Sequence, residues 1–171
     1  VADKAGVGYE TVTAMKGGAG SASCIDSSTA ALEYVARNAR ANGVEVGTIK
    51  DDAFDALKRL QESDQRFDVV ILDPPAFAKR KKDAPQALAA YRKLNQLALP
   101  LIERDGVLVS CSCSYHMGAD ELMSAIQGAA RHTSRFVQVL EQGGQSPDHP
   151  VHPAIPETRY LKSFFCRVTR E

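Results

Sequence analysis

The sequence lacks the charge imbalance and the long apolar segments that mark several classes of protein. Its 21 basic and 21 acidic side chains leave no net charge, which argues against a protein that coats nucleic acid through clustered Lys and Arg. No apolar run approaches the roughly 20 residues that cross a bilayer, and the amino terminus has no basic-then-apolar signal pattern. We therefore expect a soluble, cytoplasmic protein.

Cysteine is scarce, with only Cys24, Cys111, Cys113 and Cys166 in the chain. Apart from one C-x-C these residues are scattered, which matches neither a disulfide framework nor the paired spacing of a zinc site. We therefore expect reduced thiols and no bound metal.

The glycine-bearing loop near the amino terminus lacks a third glycine. Gly6 and Gly8 follow Asp3, but Thr11 stands where a dinucleotide-binding loop has the glycine that lets the backbone approach a pyrophosphate. Glu10 would also bring a negative charge close to a phosphate. A tight turn is the simpler alternative for two glycines alone. The loop favours a nucleoside cofactor without phosphate, such as S-adenosylmethionine, contacted by Asp3, Gly6 and Gly8.

Strand-like and helix-like segments alternate along the chain. The predicted strands cover residues 21–25, 44–49, 67–72, 106–112, 136–140 and 161–169, and the predicted helices cover residues 9–16, 29–41, 53–61, 85–101 and 119–130. This order predicts an α/β fold with an open, mostly parallel sheet, whose ligand crevices lie at the carboxyl ends of the strands. Because no helix separates the last two strands, they should pair antiparallel.

Only Val1 and Ala2 precede Asp3, so the first strand of this sheet would be nearly absent. No repeat and no internal linker is evident. We expect residues 1–171 to form one domain, with a truncated first strand, cut from a longer protein.

Acidic residues follow two successive predicted strands. Asp26 stands about twenty residues after the glycine loop, where a carboxylate can accept hydrogen bonds from ribose hydroxyls. Asp52 follows the next strand and can accept from an adenine amino group, while Ala53 offers its backbone N–H. We therefore expect Asp26, Ser27, Asp52 and Ala53 to contact the cofactor. Helix capping is the alternative for both aspartates.

The two most apolar runs end in residues that can do chemistry. One run ends at Asp73, which is followed by Pro74 and Pro75, and the other leads to Cys111 and Cys113. The prolines have a fixed φ and no N–H, so they end the strand in a rigid turn that suits a planar substrate. One strand therefore presents a carboxylate and its neighbour a thiol.

A basic tetrad, Lys79, Arg80, Lys81 and Lys82, follows this turn. Its place beside the predicted site favours contact with RNA phosphates. A solvated loop is the alternative.

Several motifs occur in a fixed order along the chain: Asp26, Asp52-Ala53-Phe54, Asp73-Pro74-Pro75-Ala76-Phe77-Ala78-Lys79, Tyr91-Arg92-Lys93-Leu94-Asn95, Ser112-Cys113-Ser114, Asp148-His149-Pro150-Val151 and Tyr160-Leu161-Lys162-Ser163-Phe164. Together they resemble the catalytic domain of the RlmI-like ribosomal RNA large-subunit methyltransferases. The resemblance implies a Rossmann-like class I methyltransferase fold. It also implies transfer of a methyl group from S-adenosylmethionine to carbon 5 of a cytosine in 23S ribosomal RNA. Members of that family usually carry an amino-terminal RNA-binding PUA domain, which we do not expect within residues 1–171.

The resemblance implies that Cys113 is the nucleophile. Carbon 5 of cytosine is a poor nucleophile, and addition of a thiolate at carbon 6 makes it enamine-like and reactive. Cys111 would lie on the same face of the strand but deeper, as a small buried hydrophobe. Asp73 should polarise the cytosine through N3 or the exocyclic amine, and Asp73 and Pro74 should also contact the cofactor.

Other residues are expected on the RNA side of the site. Pro75 and Phe77 should shape the cavity that takes an unstacked base, and His149 should line it from a late loop. His149 and His152 form an H-x-x-H pattern that is poor evidence for a metal. Tyr91 and Asn95, one helical turn apart, either face the site or pack in the core.

Two other functions remain open. An acidic residue followed by two prolines and an aromatic is typical of enzymes that methylate the amino group of adenine, although here Ala76 separates Pro75 from Phe77. A chain without catalytic activity could instead act as an RNA-binding or ribosome-assembly module. The oligomeric state is left open, with a homodimer as one option.

Overall fold

The computed structural model describes residues 8–170. The helices are α1 (Tyr9–Lys16), α2 (Thr29–Ala41), α3 (Ala53–Glu62), α4 (Ala84–Ala98) and α5 (Ala119–His132). The strands are β1 (Ser23–Asp26), β2 (Gly47–Lys50), β3 (Phe67–Leu72), β4 (Ile102–Ser112), β5 (Arg135–Gly143) and β6 (Lys162–Arg170). Short 3-10 turns cover Lys81–Asp83, Leu99–Leu101 and Pro156–Thr158. The predicted first strand, at Val1 and Ala2, lies outside the described residues.

The chain divides into two compact units, with the boundary after Arg59. In the first unit β1 and β2 pair in parallel, with Ser23 opposite Gly47. The apolar face of α2 supplies Leu32 and Val35, which pack with Cys24 of β1 in a small buried cluster. This unit carries the first two acidic residues at strand ends that the sequence singled out.

The second unit contains a four-stranded sheet in the order β3-β4-β6-β5. β3 and β4 run parallel, with Leu72 opposite Ser110, so both strands end at the same edge of the sheet. β6 runs antiparallel to β4 and to β5, which confirms the predicted antiparallel pairing of the last two strands. The predicted α/β fold is confirmed, although the described strands form two sheets and not a single one.

Two helices of the second unit pack their apolar stripes into its core. On α4 the stripe is Ala87, Tyr91, Leu94 and Ala98, and each of these side chains is at most 1% exposed. Their spacing of three and four residues places them on one face of the helix. On α5 the equivalent buried residues are Leu122, Ala125, Ile126 and Ala129.

Several element ends differ from the prediction for local reasons. α2 ends in a Schellman-type cap in which Gly43 has φ 67° and the Val44 N–H donates to the Ala39 carbonyl, so β2 begins only at Gly47 and not at residue 44. α4 ends at Ala98 because Pro100 favours a 3-10 turn there.

The fourth strand is longer than the predicted range of 106–112. β4 begins at Ile102, and its pairing with β3 shifts register between Ile102 and Val107, where Asp105 adopts φ 65°. Gly106 follows, and a Cβ at this position would lie 2.7 Å from the Asp68 carbonyl oxygen of the neighbouring strand. The close approach of the two backbones therefore requires glycine.

Candidate functional site

In the first unit, Gly8 occupies a position that only glycine fits. It precedes α1 with φ 77°, and a Cβ there would lie 2.7 Å from both γ-carbons of Val35. Val35 is fully buried, so it has little room to move. Asp3 and Gly6, the other expected cofactor residues of this loop, lie outside the described residues.

Asp26 ends β1 with a half-buried carboxylate. Its Oδ1 accepts a hydrogen bond of 2.6 Å from the Ser28 backbone N–H. Ser28 caps α2, since its Oγ accepts from the Ala31 N–H at 3.3 Å, and the neighbouring Ser27 is exposed. A carboxylate can accept about four hydrogen bonds, so the Asp26 carboxylate retains capacity for donors such as ribose hydroxyls.

Asp52 lies directly before α3 and caps it. Its Oδ1 accepts from the Phe54 N–H at 2.8 Å and from the Asp55 N–H at 3.4 Å. The capping alternative therefore describes Asp52 in this structure. A contact of Asp52 or Ala53 with the cofactor stays a prediction. The carboxylates of Asp26 and Asp52 thus follow the paired strands β1 and β2, and both are hydrogen-bond acceptors.

In the second unit, the two predicted reactive turns lie together. Cys113 directly follows β4, and its Sγ lies 3.9 Å from the Pro74 carbonyl oxygen, at the limit of a weak S–H hydrogen bond. Pro74 is buried, Asp73 and Cys113 are half-buried, and Pro75 is exposed. The parallel pairing of β3 and β4 therefore brings a carboxylate and a thiol to one edge of the sheet, as the sequence predicted.

A buried hydroxyl network fixes the residues on both sides of Cys113. Ser112 Oγ donates to the Tyr91 hydroxyl at 2.9 Å, and that hydroxyl lies 3.3 Å from Ser114 Oγ. The Ser114 N–H donates to Ser112 Oγ at 3.2 Å, and the Ala78 N–H donates to Ser114 Oγ at 3.3 Å. Tyr91 therefore both packs in the core and faces the site, because its side chain is fully buried and its hydroxyl supports the turn that carries Cys113.

Asn95 lies one helical turn after Tyr91 on α4 and supports this helix from within the core. Its Nδ2 donates to the Tyr91 carbonyl at 2.8 Å, and the residue is fully buried. Burial raises the pKa of Tyr91, and its hydrogen bonds with Ser112 and Ser114 oppose that rise. The hydroxyl therefore remains neutral near pH 7 and can donate one hydrogen bond while it accepts another.

Lys162, the first residue of β6, reaches the loop that follows Cys113. Its Nζ donates to the carbonyl oxygens of Ser114 and Met117. Burial lowers the pKa of Lys162, whereas the negative charges that Cys113 and Glu121 can carry raise it. Lys162 has no role in the sequence-based prediction of the site, although it lies within the motif Tyr160-Leu161-Lys162-Ser163-Phe164 and directly precedes the buried end of β6.

The basic tetrad lies between the proline turn and α4. Lys79, Lys81 and Lys82 are exposed, whereas Arg80 Nε forms a 3.1 Å ion pair with Asp83. All four side chains therefore face solvent, and Asp83 offsets the charge of Arg80.

A pocket of about 340 Å³ opens beside the tetrad, and its lining residues are Phe77, Arg80, Asp83, Gln86, Ala87 and Ala90. Phe77 is half-buried, and its ring packs at a tilt on Tyr91, with 4.8 Å between the ring centroids. The pocket therefore joins an aromatic wall to charged and amide groups.

The remaining candidates lie in different surroundings. Cys111 is half-buried like Cys113, so the expectation that it is a buried hydrophobe is wrong, whereas Cys24 and Cys166 are buried. His149 is exposed, and its Nδ1 lies 3.1 Å from the Tyr160 hydroxyl. Within residues 8–170, no cluster of three or more His, Cys, Asp or Glu side chains is placed to hold a metal ion. Across the same residues, no helix has both the length and the apolar character that a membrane span requires.

Curated proteins similar to this chain carry the name that the resemblance predicted. A protein of Klebsiella pneumoniae named "Ribosomal RNA large subunit methyltransferase I" is 37% identical over 92% of this chain and 40% of its own length. A protein of Serratia proteamaculans with the same name is 37% identical over 94% of this chain and 41% of its own length. The predicted resemblance is confirmed, and the chain spans about two fifths of the length of these relatives.

A solved structure shares the fold of this chain. A protein of Streptococcus mutans that has been assigned as a SAM-dependent methyltransferase superposes with a TM-score of 0.77, at 21% identity, over 91% of this chain and 40% of its own length. The family model described as "Conserved hypothetical protein 95" matches residues 4–117, from the glycine loop through the turn that carries Cys113. The chain therefore belongs to the Conserved hypothetical protein 95 family.

Proposed function

We propose that this chain is the catalytic domain of an enzyme that transfers a methyl group from S-adenosylmethionine to carbon 5 of a cytosine in large-subunit ribosomal RNA. The name of the curated relatives supports ribosomal RNA as the substrate. The fold of this chain, shared with a protein of Streptococcus mutans that has been assigned as a SAM-dependent methyltransferase, supports the cofactor. The reaction takes place in the cytoplasm, where cysteines stay reduced.

The observation that carries this proposal is the position of the Cys113 thiol against the Pro74 carbonyl. A methyltransferase that acts on an amino group needs no thiol, because the nitrogen lone pair attacks directly. Carbon 5 of cytosine has no such lone pair and needs a nucleophile at carbon 6 to become reactive. The half-buried thiol of Cys113, next to the turn that carries Asp73, can supply that nucleophile.

Each residue then has a defined task. When bound, S-adenosylmethionine supplies an electrophilic methyl group on a sulfonium. In the first unit, Gly8, Asp26 and Asp52 bind and orient the cofactor. In the second unit, Cys113 as thiolate forms a bond to carbon 6 of the cytosine, and Asp73 accepts a hydrogen bond from the edge of the base.

Carbon 5 then gains the methyl group, and the thioether S-adenosylhomocysteine is the second product. A base takes the proton from carbon 5, the carbon–sulfur bond breaks, and its electron pair returns to Cys113 as thiolate. The tetrad residues Lys79, Lys81 and Lys82 bind backbone phosphates and hold the RNA while its target base is unstacked. Pro75 and Phe77 shape the cavity for that base, and His149 borders it.

The test is methyl transfer to 23S ribosomal RNA from cells that lack the gene, with the protein expressed from the full gene and the product mapped by mass spectrometry. We expect 5-methylcytosine, its loss in Cys113→Ser with cofactor binding retained, and much remaining activity in Cys111→Ser. Full activity in both serine variants would overturn the covalent mechanism. In that case a methylated adenine amino group would identify the alternative reaction, and no binding of S-adenosylmethionine by calorimetry would favour a module without catalysis.

A further inference from the structure

We propose that Lys162 is a positioning residue that holds a positive charge beside Cys113 and favours the thiolate form of that thiol. A cysteine attacks as thiolate, and an adjacent cation increases the fraction of thiolate near neutral pH. The catalytic consequence rests on the function proposed above. The effect on the thiol does not, because it can be measured on the resting protein.

The fold places Lys162 at the end of the strand that delivers Cys113. In the antiparallel β4–β6 pair, Lys162 lies directly opposite Ser112, the residue before Cys113. Both backbones are fixed here by sheet hydrogen bonds. The backbone of Lys162 is therefore anchored in the sheet at the position where β4 ends, one residue before Cys113.

The ammonium group is held on the loop that leaves Cys113. Nζ donates to the carbonyls of Ser114 and Met117, so two acceptors fix its direction. Carbonyl oxygens stabilise the ammonium form of Lys162, because an ammonium donates stronger hydrogen bonds than a neutral amine does. Half-burial of Lys162 removes much of the water that would otherwise screen its charge.

Ionisable groups from several elements surround this pair. Asp73 follows β3 at the same edge of the sheet as Cys113, and its carboxylate opposes a negative charge on the thiol. Burial lowers the pKa of Lys162, and the negative charges that Cys113 and Glu121, on α5, can carry oppose that fall. Tyr91, on α4, also responds to a charge on Cys113, which raises its pKa. Cys111 lies two residues earlier on β4, opposite Ser163. The attraction between Lys162 and Cys113 is mutual. A thiolate on Cys113 favours the ammonium form of Lys162, and the ammonium in turn favours the thiolate.

No atom passes between the two side chains. The Cys113 S–H bond breaks and its proton goes to solvent, while Lys162 remains an ammonium throughout. Once the thiolate has added to carbon 6, the charge beside Lys162 is gone, and it returns when the carbon–sulfur bond breaks. A cation at this position therefore stabilises the free thiolate before addition and after release.

The test is the pH dependence of iodoacetamide alkylation, measured separately for Cys113 and Cys111 by peptide mass spectrometry. In the wild-type protein the midpoint for Cys113 should lie about one pH unit below that for Cys111. Lys162→Met should raise the Cys113 midpoint by about one pH unit and lower its alkylation rate at pH 7 about tenfold. Lys162→Arg should keep the wild-type midpoint, and Lys93→Met, which removes an exposed lysine of α4, serves as the matched control.

A folded Lys162→Met protein with an unchanged Cys113 midpoint would overturn the proposal. If Lys162→Met does not fold, the alkylation midpoints of Cys113 and Cys111 in the wild-type protein test the proposal. A Cys113 midpoint at or above that of Cys111 would contradict a cation beside Cys113. In methyl transfer, the acid limb of the pH–rate profile should move with the alkylation midpoint. If the alkylation midpoints shift as expected but no 5-methylcytosine forms, the effect of Lys162 on Cys113 stands and only the proposed function is refuted.

Discussion

Tyr91→Phe should lower both stability and turnover, because it removes one buried hydroxyl from the support of Cys113. The change keeps the ring, which packs on Phe77, and deletes the partner of Ser112 Oγ at 2.9 Å and of Ser114 Oγ at 3.3 Å. Ser112 and Ser114 are at most 1% exposed, so water does not replace the lost partner. Loss of these bonds costs about 1 to 3 kcal/mol.

For a chain of this size the cost lowers the melting temperature on the order of 5 °C. The serines on both sides of Cys113 lose a shared anchor, and a shift of the thiol by about 1 Å can lower turnover about 100-fold. Thermal unfolding and single-turnover methyl transfer measure the two effects. Tyr34→Phe is the matched control, since Tyr34 is 51% exposed. Wild-type melting and turnover in Tyr91→Phe would refute the role of the network.

Three further predictions concern the cofactor, the RNA and an unused thiol. Asp26→Ala should weaken S-adenosylmethionine binding by about 1 to 3 kcal/mol in calorimetry, since the ribose loses a charged acceptor; an unchanged Kd would remove Asp26 from the site. Neutral replacements at Lys79, Lys81 and Lys82 should flatten the salt dependence of RNA affinity with cofactor binding intact, and an unaltered slope would indicate a solvated loop. Burial raises the pKa of Cys166 to about 11. Because burial favours the neutral thiol, Cys166 contributes about 2 to 3 kcal/mol to the free energy of unfolding below pH 9, and this contribution is lost as the pH rises toward 11. Denaturant unfolding should record this loss in the wild type, and an equal loss in Cys166→Ala would assign it to another group.

The sequence was sufficient where a local signal fixes an element. β3 matches its predicted range because a continuous apolar run is ended by Pro74 and Pro75. α2 matches because Ser28 caps its start and Asn42 and Gly43 end it. The meeting of the two reactive turns also followed from the sequence, since parallel neighbours end at one edge of a sheet.

The supporting contacts of the site could not be predicted in the same way. Lys162 reaches the Ser114 carbonyl across 48 residues of sequence, and the contact depends on the register of β4 and β6. The Tyr91 hydroxyl lies between two serines only because α4 packs at one particular height along β4. A helical spacing shows that Tyr91 faces inward, and it does not show which strand residue its hydroxyl meets.

Trapping with 5-fluorocytosine tests most directly whether the Cys113 thiolate carries the reaction. RNA with this base at the target should form an adduct that survives denaturation, because fluorine cannot leave carbon 5 as a proton does and the carbon–sulfur bond then persists. Peptide mapping should place the adduct on Cys113. An adduct on Cys111 would move the nucleophile by two residues, and methylation of ordinary cytosine with no adduct on either cysteine would contradict the account.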